Sequence, residues 1–349
     1  MLKPFIYKYQ TISKGQSFVN YLFLEIIFNN RILEGNAIYT NDLIDDKYRG
    51  IIQNTKNEYL YDSLVVLFAI CKKLDKSHLK LLRSAVHLNN NIEHLCCGIN
   101  KAITYREINK IDLKLSNELQ KMFGRLYKYV IDLQPFYSIY GRKSDFYKDI
   151  VGNETVCNCC GVGTMLNKHQ KPVGALDHYF PISQYPFSSI NFKNLAPICD
   201  ICNSKYKTQK DTLFKITSKI KNGKKIYTLK KYKAFYPYST AYDMINVSVA
   251  ITNNDITNLS KDDINIQYSL TGYEVEIENW ERLFKVSEIH KANLLGNESR
   301  DFINQQFDTI QRLGFTVDQY YDIVSSNPFY DKNFIRIPFL KEFNRIINS

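Results

Sequence analysis

Apolar residues recur at spacings of three and four along the first part of the chain, which is the pattern of helices that bury one face. One such series predicts a helix with Ser116 as its N-cap, and its apolar members are Leu119, Met122, Phe123, Leu126, Val130 and Leu133. A second apolar-rich pattern runs from Tyr59 to Leu88, where asparagines interrupt it. We therefore predict a mainly helical region over residues 1–150.

The middle of the chain contains a strong β-hairpin pattern. Two stretches of alternating apolar and polar residues, Ile216 to Lys221 and Lys224 to Leu229, flank the dipeptide Asn222-Gly223. This dipeptide readily supplies the positive φ of a tight turn. The lysines of the hairpin suit a charged ribbon beside a nucleic acid, although they would equally protect an exposed strand edge.

The last third mixes strand and helix patterns. Alternation from Ile264 to Leu270, followed by a turn at Gly272 and a stretch from Tyr273 to Ile277, predicts a second hairpin. Helical spacing then follows from Trp280 to Leu295 and from Glu298 to Leu313. The C-terminal region is therefore predicted to be mixed α/β.

Length and composition fit a folded protein of the α+β class. The 349 residues are enough for three domains with separate cores, and 44% of them are hydrophobic and 14% aromatic. We place the domains at 1–150 (helical), 151–240 (the motifs described below, with the basic hairpin) and 241–349 (mixed α/β). The longest apolar run, Leu64 to Cys71, is too short to cross a bilayer. With no stretch typical of a secretory signal, we expect a cytoplasmic protein without membrane association.

The positive charge of the chain is concentrated in one window. Residues 157–240 contain 14 lysines, no arginine and three acidic residues, so this window alone carries the net charge of +11 and the rest of the chain nets zero. A lysine-rich window is often only a solvated surface. Its overlap with a cluster of cysteines and histidines favours a polyanionic partner, because neutralising phosphates releases counterions.

Two Cys-x-x-Cys pairs, Cys157 with Cys160 and Cys199 with Cys202, are typical of a tetrahedral thiolate zinc site. Cys159 also lies beside the first pair, and only the usual two-residue gap favours Cys160 over it. Because four thiolates fill the coordination sphere, we predict a structural Zn²⁺ that does not activate water.

Between the two pairs lies the dipeptide Asp177-His178, and Asn194 and Asn203 flank the second pair. A carboxylate can bind a hard cation such as Mg²⁺, while a neighbouring imidazole stays free to take a proton from water. An Asp-His pair alone is weak evidence, since it also arises in ordinary loops. Its position inside a segment held by zinc makes it a candidate catalytic site.

The string Asp177-His178…Asn194-Leu195-x-Pro197-x-Cys199-x-x-Cys202-Asn203 resembles the HNH endonuclease family, whose core is a zinc-bound ββα-metal fold. The resemblance covers residues 157–212. It implies that His178 activates the attacking water, that Asp177 and Asn203 bind a catalytic Mg²⁺ or Mn²⁺, and that Asn194 fixes the loop carrying the histidine. The third motif position is Asn203 instead of His, which leaves the preferred metal open.

Lysines after the motif are candidates for binding nucleic-acid phosphates: Lys205, Lys207, Lys210, Lys224 and Lys225. The expected partner is therefore nucleic acid, with DNA favoured over RNA. The long flanking regions also resemble the effector subunits of bacterial anti-phage systems, which implies an ATPase partner. The main alternative is a non-catalytic zinc-containing subunit that binds nucleic acid or another protein.

Overall fold

The computed structural model describes residues 1–53, 60–221 and 224–348. The N-terminal region is helical, as predicted. Its α-helices in chain order are α1 Gln16–Asn20, α2 Asn30–Gly35, α3 Asp46–Ile52, α4 Tyr61–Cys71, α5 Lys76–Asn90, α6 Ile92–Cys96, α7 Tyr105–Asn109, α8 Leu113–Lys128, α9 Gln134–Tyr140 and α10 Lys143–Val151. A π-helical segment, Tyr21–Ile27, continues α1.

Helix α8 is the helix predicted from the apolar series, but it begins earlier than predicted and ends before Val130 and Leu133, the last two members of the series. Its N-cap is Asp112, whose side chain accepts a hydrogen bond from the Leu115 N–H. The predicted cap, Ser116, lies inside the helix and is buried. The apolar face of α8 packs against α4. The apolar-rich pattern up to Leu88 belongs to two helices, α4 and α5, and Asp75 caps the second.

The strands of the described residues form three separate two-stranded antiparallel sheets. Their bounds are β1 Leu176–His178, β2 Leu195–Pro197, β3 Phe214–Lys221, β4 Lys224–Lys231, β5 Asn246–Ile251 and β6 Ile264–Ser269. The β3–β4 pair confirms the predicted basic hairpin, with Lys221 opposite Lys224. The predicted turn, Asn222-Gly223, lies outside the described residues.

The predicted second hairpin is wrong. Strand β6 pairs with β5, so that Ile266 lies opposite Val249, and no strand follows it in the described chain. Gly272 does turn the chain with a φ of 82°, but Glu274–Phe284 is a helix, α11. A short alternating stretch fits the exposed and buried positions of one helical turn as well as those of a strand, because few residues sample either period.

Four further helices complete the C-terminal region: α12 Val286–Leu294, α13 Asn297–Leu313, α14 Val317–Ser325 and α15 Asn333–Ile347. The predicted helix from Trp280 to Leu295 is divided between α11 and α12, because Lys285 between them has the left-handed φ of 53°. The mixed α/β character predicted for this region is confirmed. Within the described chain no helix is both long and apolar enough to cross a membrane.

Buried side chains from all three predicted regions belong to one hydrophobic cluster. Its largest fully buried members include Phe23, Phe123, Phe187 and Trp280. Phe187 packs edge-on against both Phe23 and Phe123, and so joins the segment after β1 to the N-terminal helices. The predicted domain limits stay a prediction.

Candidate metal centre and active site

Four buried cysteines are grouped in the middle region. The sulfurs of Cys157, Cys160, Cys199 and Cys202 all lie within 4.8 Å of one another. A zinc ion about 2.3 Å from each of four thiolates would hold them about 3.8 Å apart. The sulfurs of Cys160 and Cys199 are 3.9 Å apart. The group therefore fits a structural zinc ion, and it contains Cys160 but not Cys159.

Backbone N–H groups donate hydrogen bonds to two of the four sulfurs. The Gly163 N–H donates to the sulfur of Cys160, and the Cys199 N–H donates to that of Cys157, each at 3.3 Å. Such hydrogen bonds orient metal ligands and stabilise their charge. Gly163 is required for packing, since a Cβ there would lie 2.3 Å from the Cys199 sulfur.

Cys159 lies next to the group and anchors it to distant parts of the chain. Contacts with neighbouring thiols, first that of Cys157 and then that of Cys159, raise the pKa of Cys202. The Cys159 carbonyl accepts hydrogen bonds from the Leu2 N–H at 3.1 Å and from the Trp280 indole N–H at 3.0 Å. The loop that contains Cys159 and Cys160 is therefore held by both the N-terminal segment and α11.

A buried histidine from α12 holds the next carbonyl of the same loop. The Nε2 of His290 lies 2.6 Å from the Cys160 carbonyl, and its Nδ1 lies 2.7 Å from the Tyr268 hydroxyl. Because a carbonyl only accepts, Nε2 carries the proton and Nδ1 accepts from the hydroxyl. Burial lowers the pKa of His290 to about 4, so the ring is neutral at pH 7.

The candidate catalytic pair stands at the end of β1. Pairing with β2 places Asp177 opposite Ala196 and His178 opposite Leu195. Strand β2 ends at Pro197, two residues before Cys199, so the cysteine group and the strand pairing together fix the position of the pair. After Cys199 the chain enters a π-helix, Ile201–Lys207, whose N-cap is Asp200.

The ring of His178 is held in one tautomer. Its Nε2 lies 2.8 Å from the Ser189 carbonyl and must carry the proton, because a carbonyl is only an acceptor. The Nδ1 therefore keeps its lone pair, and no hydrogen bond to it exists within the described chain. The Tyr127 ring packs edge-on at 4.2 Å. Burial lowers the pKa of His178 to about 4, so the imidazole is neutral at pH 7 and able to accept a proton.

Asn194 is fully buried and fastens the backbone that follows His178. Its Oδ1 accepts from the Phe180 N–H at 2.8 Å, and its Nδ2 donates to the Phe180 carbonyl at 3.1 Å and to the Ser188 carbonyl at 3.4 Å. Ser188 precedes the residue whose carbonyl holds His178. One side-chain amide thus ties together the two segments that orient the imidazole.

Asp177 is paired with a lysine that the sequence placed among the phosphate-binding residues. The Lys207 Nζ donates to Oδ1 of Asp177 at 2.9 Å, lies 2.9 Å from Oδ2, and donates to the His178 carbonyl at 2.8 Å. Both side chains are buried, at 1% and 5% exposure. Burial raises the pKa of Asp177, and the ammonium of Lys207 offsets part of that rise. Within the described chain, Oδ2 accepts no hydrogen bond.

One small cavity brings the motif residues together. Asp177, His178 and Asn203 all line a cavity of about 190 Å³, and Pro181 and Thr208 are also among its lining residues. The side-chain amide of Asn203 is half-buried and has no hydrogen-bond partner in the part of the chain that the structure describes. Oδ2 of Asp177, which the Lys207 ammonium contacts at 2.9 Å, and this amide oxygen are donors that suit a hard divalent cation, which keeps several waters and binds through few protein oxygens.

The lysines predicted to bind phosphates differ in exposure. Lys205 is exposed, as are Lys224 and Lys225 on β4. Lys207 is buried in the ion pair, so in this structure it is not available to a phosphate at the surface. Lys210 is half-buried and donates to the Leu283 carbonyl at 3.3 Å.

The β3–β4 ribbon has two different faces, both exposed to solvent. Side chains alternate along a strand, and residues paired across the two strands share a face. One face is basic and contains Lys215, Lys219, Lys221, Lys224 and Lys230. The opposite face carries most of the ribbon's apolar side chains, together with two lysines: Ile216, Ile220, Tyr227, Leu229, Lys225 and Lys231. Lys230 forms an ion pair with Glu278 of α11.

Sequence reasoning missed three contacts of the site. They are the ammonium of Lys207 on Asp177, the Ser189 carbonyl on His178 and the ring of Tyr127. Only the Lys207 contact had a signal in the sequence, because Lys207 lies one helical turn after Asn203. The contacts of Ser189 and Tyr127 with His178 depend on tertiary packing. Comparisons of this chain with protein-family models, with characterised proteins and with solved structures found no match.

Proposed function

We propose that the chain is a cytoplasmic, metal-dependent endonuclease of the HNH type. It hydrolyses phosphodiester bonds of nucleic acid, and DNA is favoured over RNA as the substrate. The observation that carries this proposal is the cavity shared by Asp177, His178 and Asn203 beside the four-cysteine group. If the Asp177-His178 pair stood there by chance, there would be no reason for Asn203, which follows the last cysteine of the group, to line the same cavity.

His178 is the general base of the proposed reaction. Its Nε2–H is fixed on the Ser189 carbonyl, which leaves the lone pair of Nδ1 to take a proton from water. The neutral ring is the required form, and burial keeps it neutral at pH 7. Asn194 keeps this geometry by bonding to Phe180 and Ser188. The deprotonated water then attacks the phosphorus atom of the scissile phosphodiester.

Asp177 and Asn203 are the residues that would hold the catalytic Mg²⁺ or Mn²⁺, through the carboxylate oxygen Oδ2 and the amide oxygen. When bound, such a cation supplies stabilisation of the negative charge that develops on the phosphate and the leaving oxygen. The four cysteines hold Zn²⁺ in a structural role, because their coordination sphere leaves no position for water.

The basic face of the β3–β4 ribbon is the proposed nucleic-acid contact. Lys221 lies opposite Lys224, whereas Lys230, opposite Lys215, is already paired with Glu278. Like charges directly opposite each other destabilise a strand pair. A phosphate backbone lying along this face would relieve the repulsion, so the arrangement favours a polyanion over solvent. Lys205, exposed two residues after Asn203, adds a further positive charge close to the motif in sequence.

Cleavage of DNA tests the catalytic proposal. Linear and plasmid DNA are incubated with the zinc-loaded protein and Mg²⁺ or Mn²⁺, beside the variants His178→Ala and His169→Ala. We expect His178→Ala to lose about a hundredfold or more in rate, the usual contribution of a general base. His169 is exposed and bonded to Asn153, so its variant should cleave like the original protein. Equal cleavage by all three would refute the role of His178.

Salt dependence of DNA binding tests the ribbon. Lys221→Gln/Lys224→Gln removes two charges from the basic face, and Lys225→Gln/Lys231→Gln removes two from the apolar face. The first variant should reduce the slope of log affinity against log salt by about 2. The second should leave the slope near that of the original protein. Equal slopes in both variants would contradict the assignment of a single binding face.

The Asp177–Lys207 ion pair is the observation that favours the alternative, a non-catalytic zinc-containing subunit that binds nucleic acid or another protein. A carboxylate already neutralised by an ammonium resembles a structural pair. DNA binding without cleavage, in the original protein and in His178→Ala alike, would support this alternative. Co-purification with an ATPase, and cleavage only in its presence, would support a role as an anti-phage effector subunit.

A further inference from the structure

The buried ammonium of Lys207 has the position and the charge of a bound cation. It lies 2.9 Å from both carboxylate oxygens of Asp177 and donates to the His178 carbonyl, with 1% of its side chain exposed. It stands in the same π-helix as Asn203, one turn further along. The residue that would provide charge for a divalent ion is thus already neutralised in the free protein.

A divalent ion bound directly to Oδ2 of Asp177 would lie close to this ammonium. A metal–oxygen distance of about 2.1 Å, added to the 2.9 Å from Oδ2 to Nζ, keeps the two cations within about 5 Å of each other. The site is buried, so solvent screens their repulsion only in part. One carboxylate and one neutral amide do not supply enough negative charge for both cations.

We propose that Lys207 makes divalent-metal binding at Asp177 and Asn203 depend on the phosphate of the nucleic acid. This inference rests on the proposed nuclease function. The phosphodiester supplies the missing negative charge and further oxygen ligands, and its arrival lets the divalent ion bind beside the ammonium or displace it from Oδ2. Lys207 is a positioning residue: it holds Asp177 and the end of β1 in place while the metal is absent.

Metal affinity measured without turnover tests this dependence. Binding of Mn²⁺ to zinc-loaded protein is followed by electron paramagnetic resonance, with His178→Ala in every sample so that a short DNA duplex stays intact. With Lys207 present, the duplex should tighten Mn²⁺ binding at least tenfold. Without DNA, adding Lys207→Met should tighten it at least tenfold. Lys101→Met removes the same charge from an exposed position outside the basic window of residues 157–240, and it should change neither value.

The outcomes separate this inference from the proposed function. Tight Mn²⁺ binding without DNA in the protein that retains Lys207, or no gain from the duplex, would overturn the dependence even if the protein cleaves DNA. Absence of Mn²⁺ binding in every sample, together with no cleavage by the original protein, would overturn both. Lys207→Met leaves Asp177 buried without a partner, which can prevent folding. If this variant does not fold, the Mn²⁺ affinity of the protein that retains Lys207, measured with and without the duplex, still tests the dependence.

Discussion

Replacement of single cysteines tests the identity of the zinc ligands most directly. Cys159 and Cys160 are adjacent and both fully buried, but only Cys160 belongs to the group whose sulfurs lie within 4.8 Å of one another. Cys160→Ser and Cys159→Ser are therefore matched variants. Each removes one sulfur from nearly the same place, and only the first should remove a ligand.

The expected difference is large. Structural zinc sites contribute about 10–16 kcal/mol of binding free energy, so the loss of one ligand in four costs about 3 kcal/mol, or about a hundredfold in affinity. Folded proteins have a free energy of unfolding of roughly 5–15 kcal/mol, so this cost is a large share of the total. Cys160→Ser should therefore release zinc more readily and also unfold at a lower temperature.

Competition with chelators of graded affinity measures the release, and elemental analysis gives the zinc content per chain. Cys160→Ser should give up its zinc to a chelator about a hundredfold weaker than the one needed for the original protein. Cys159→Ser should keep one zinc and differ little. Equal zinc loss in both variants, or loss only from Cys159→Ser, would refute the ligand set and indicate Cys159 as a ligand.

Three further predictions concern the groups around the site. Gly163→Ala should weaken zinc binding in the same chelator assay, because its Cβ would overlap the Cys199 sulfur, whereas Gly124→Ala, with nothing within 4 Å of its Cβ in α8, should leave zinc binding unchanged. Asn194→Ala should lower the free energy of unfolding in urea by about 2–4 kcal/mol, since it leaves two buried groups of Phe180 without a partner; a loss below about 0.5 kcal/mol would contradict its clamping role. The folded-state pKa of His290 is about 4, below the ordinary 6.5, so the unfolded chain takes up the proton first as the pH falls. The stability due to this neutral ring is fully present above pH 6.5 and is lost toward pH 4, by about 2 kcal/mol at pH 5. His290→Gln should remove this part of the pH dependence of urea unfolding, and His169→Gln should not.

Local patterns along the chain were sufficient for much of the fold. The 3–4 spacing around Met122 predicted α8, and the alternation on both sides of residues 222–223 predicted the β3–β4 ribbon. The Cys-x-x-Cys spacing predicted a four-cysteine group that the structure confirms. In each case the pattern extends over enough residues, or is strict enough chemically, to exclude the alternatives.

Elsewhere tertiary packing decided what short patterns could not. The stretch from Tyr273 to Ile277 alternates like a strand, yet it lies in or beside a helix that buries Trp280 and Leu283. β6 takes its partner from residues before it, in β5, which the pattern did not indicate. The ion pair of Lys207 with Asp177 also depends on how the π-helix lies against β1, which the position of Lys207 one turn after Asn203 does not by itself specify.

The hydrogen bonds that Trp280 and His290 donate to the cysteine loop have a consequence for synthesis of the chain. A ribosome that has translated as far as residue 240 has already made the four thiols, the imidazole and both candidate cation ligands. It has made neither of the side chains that hold the carbonyls of Cys159 and Cys160. Assembly of the centre is therefore completed only when α11 and α12 have emerged, so fragments truncated before them should have a looser centre than the whole protein.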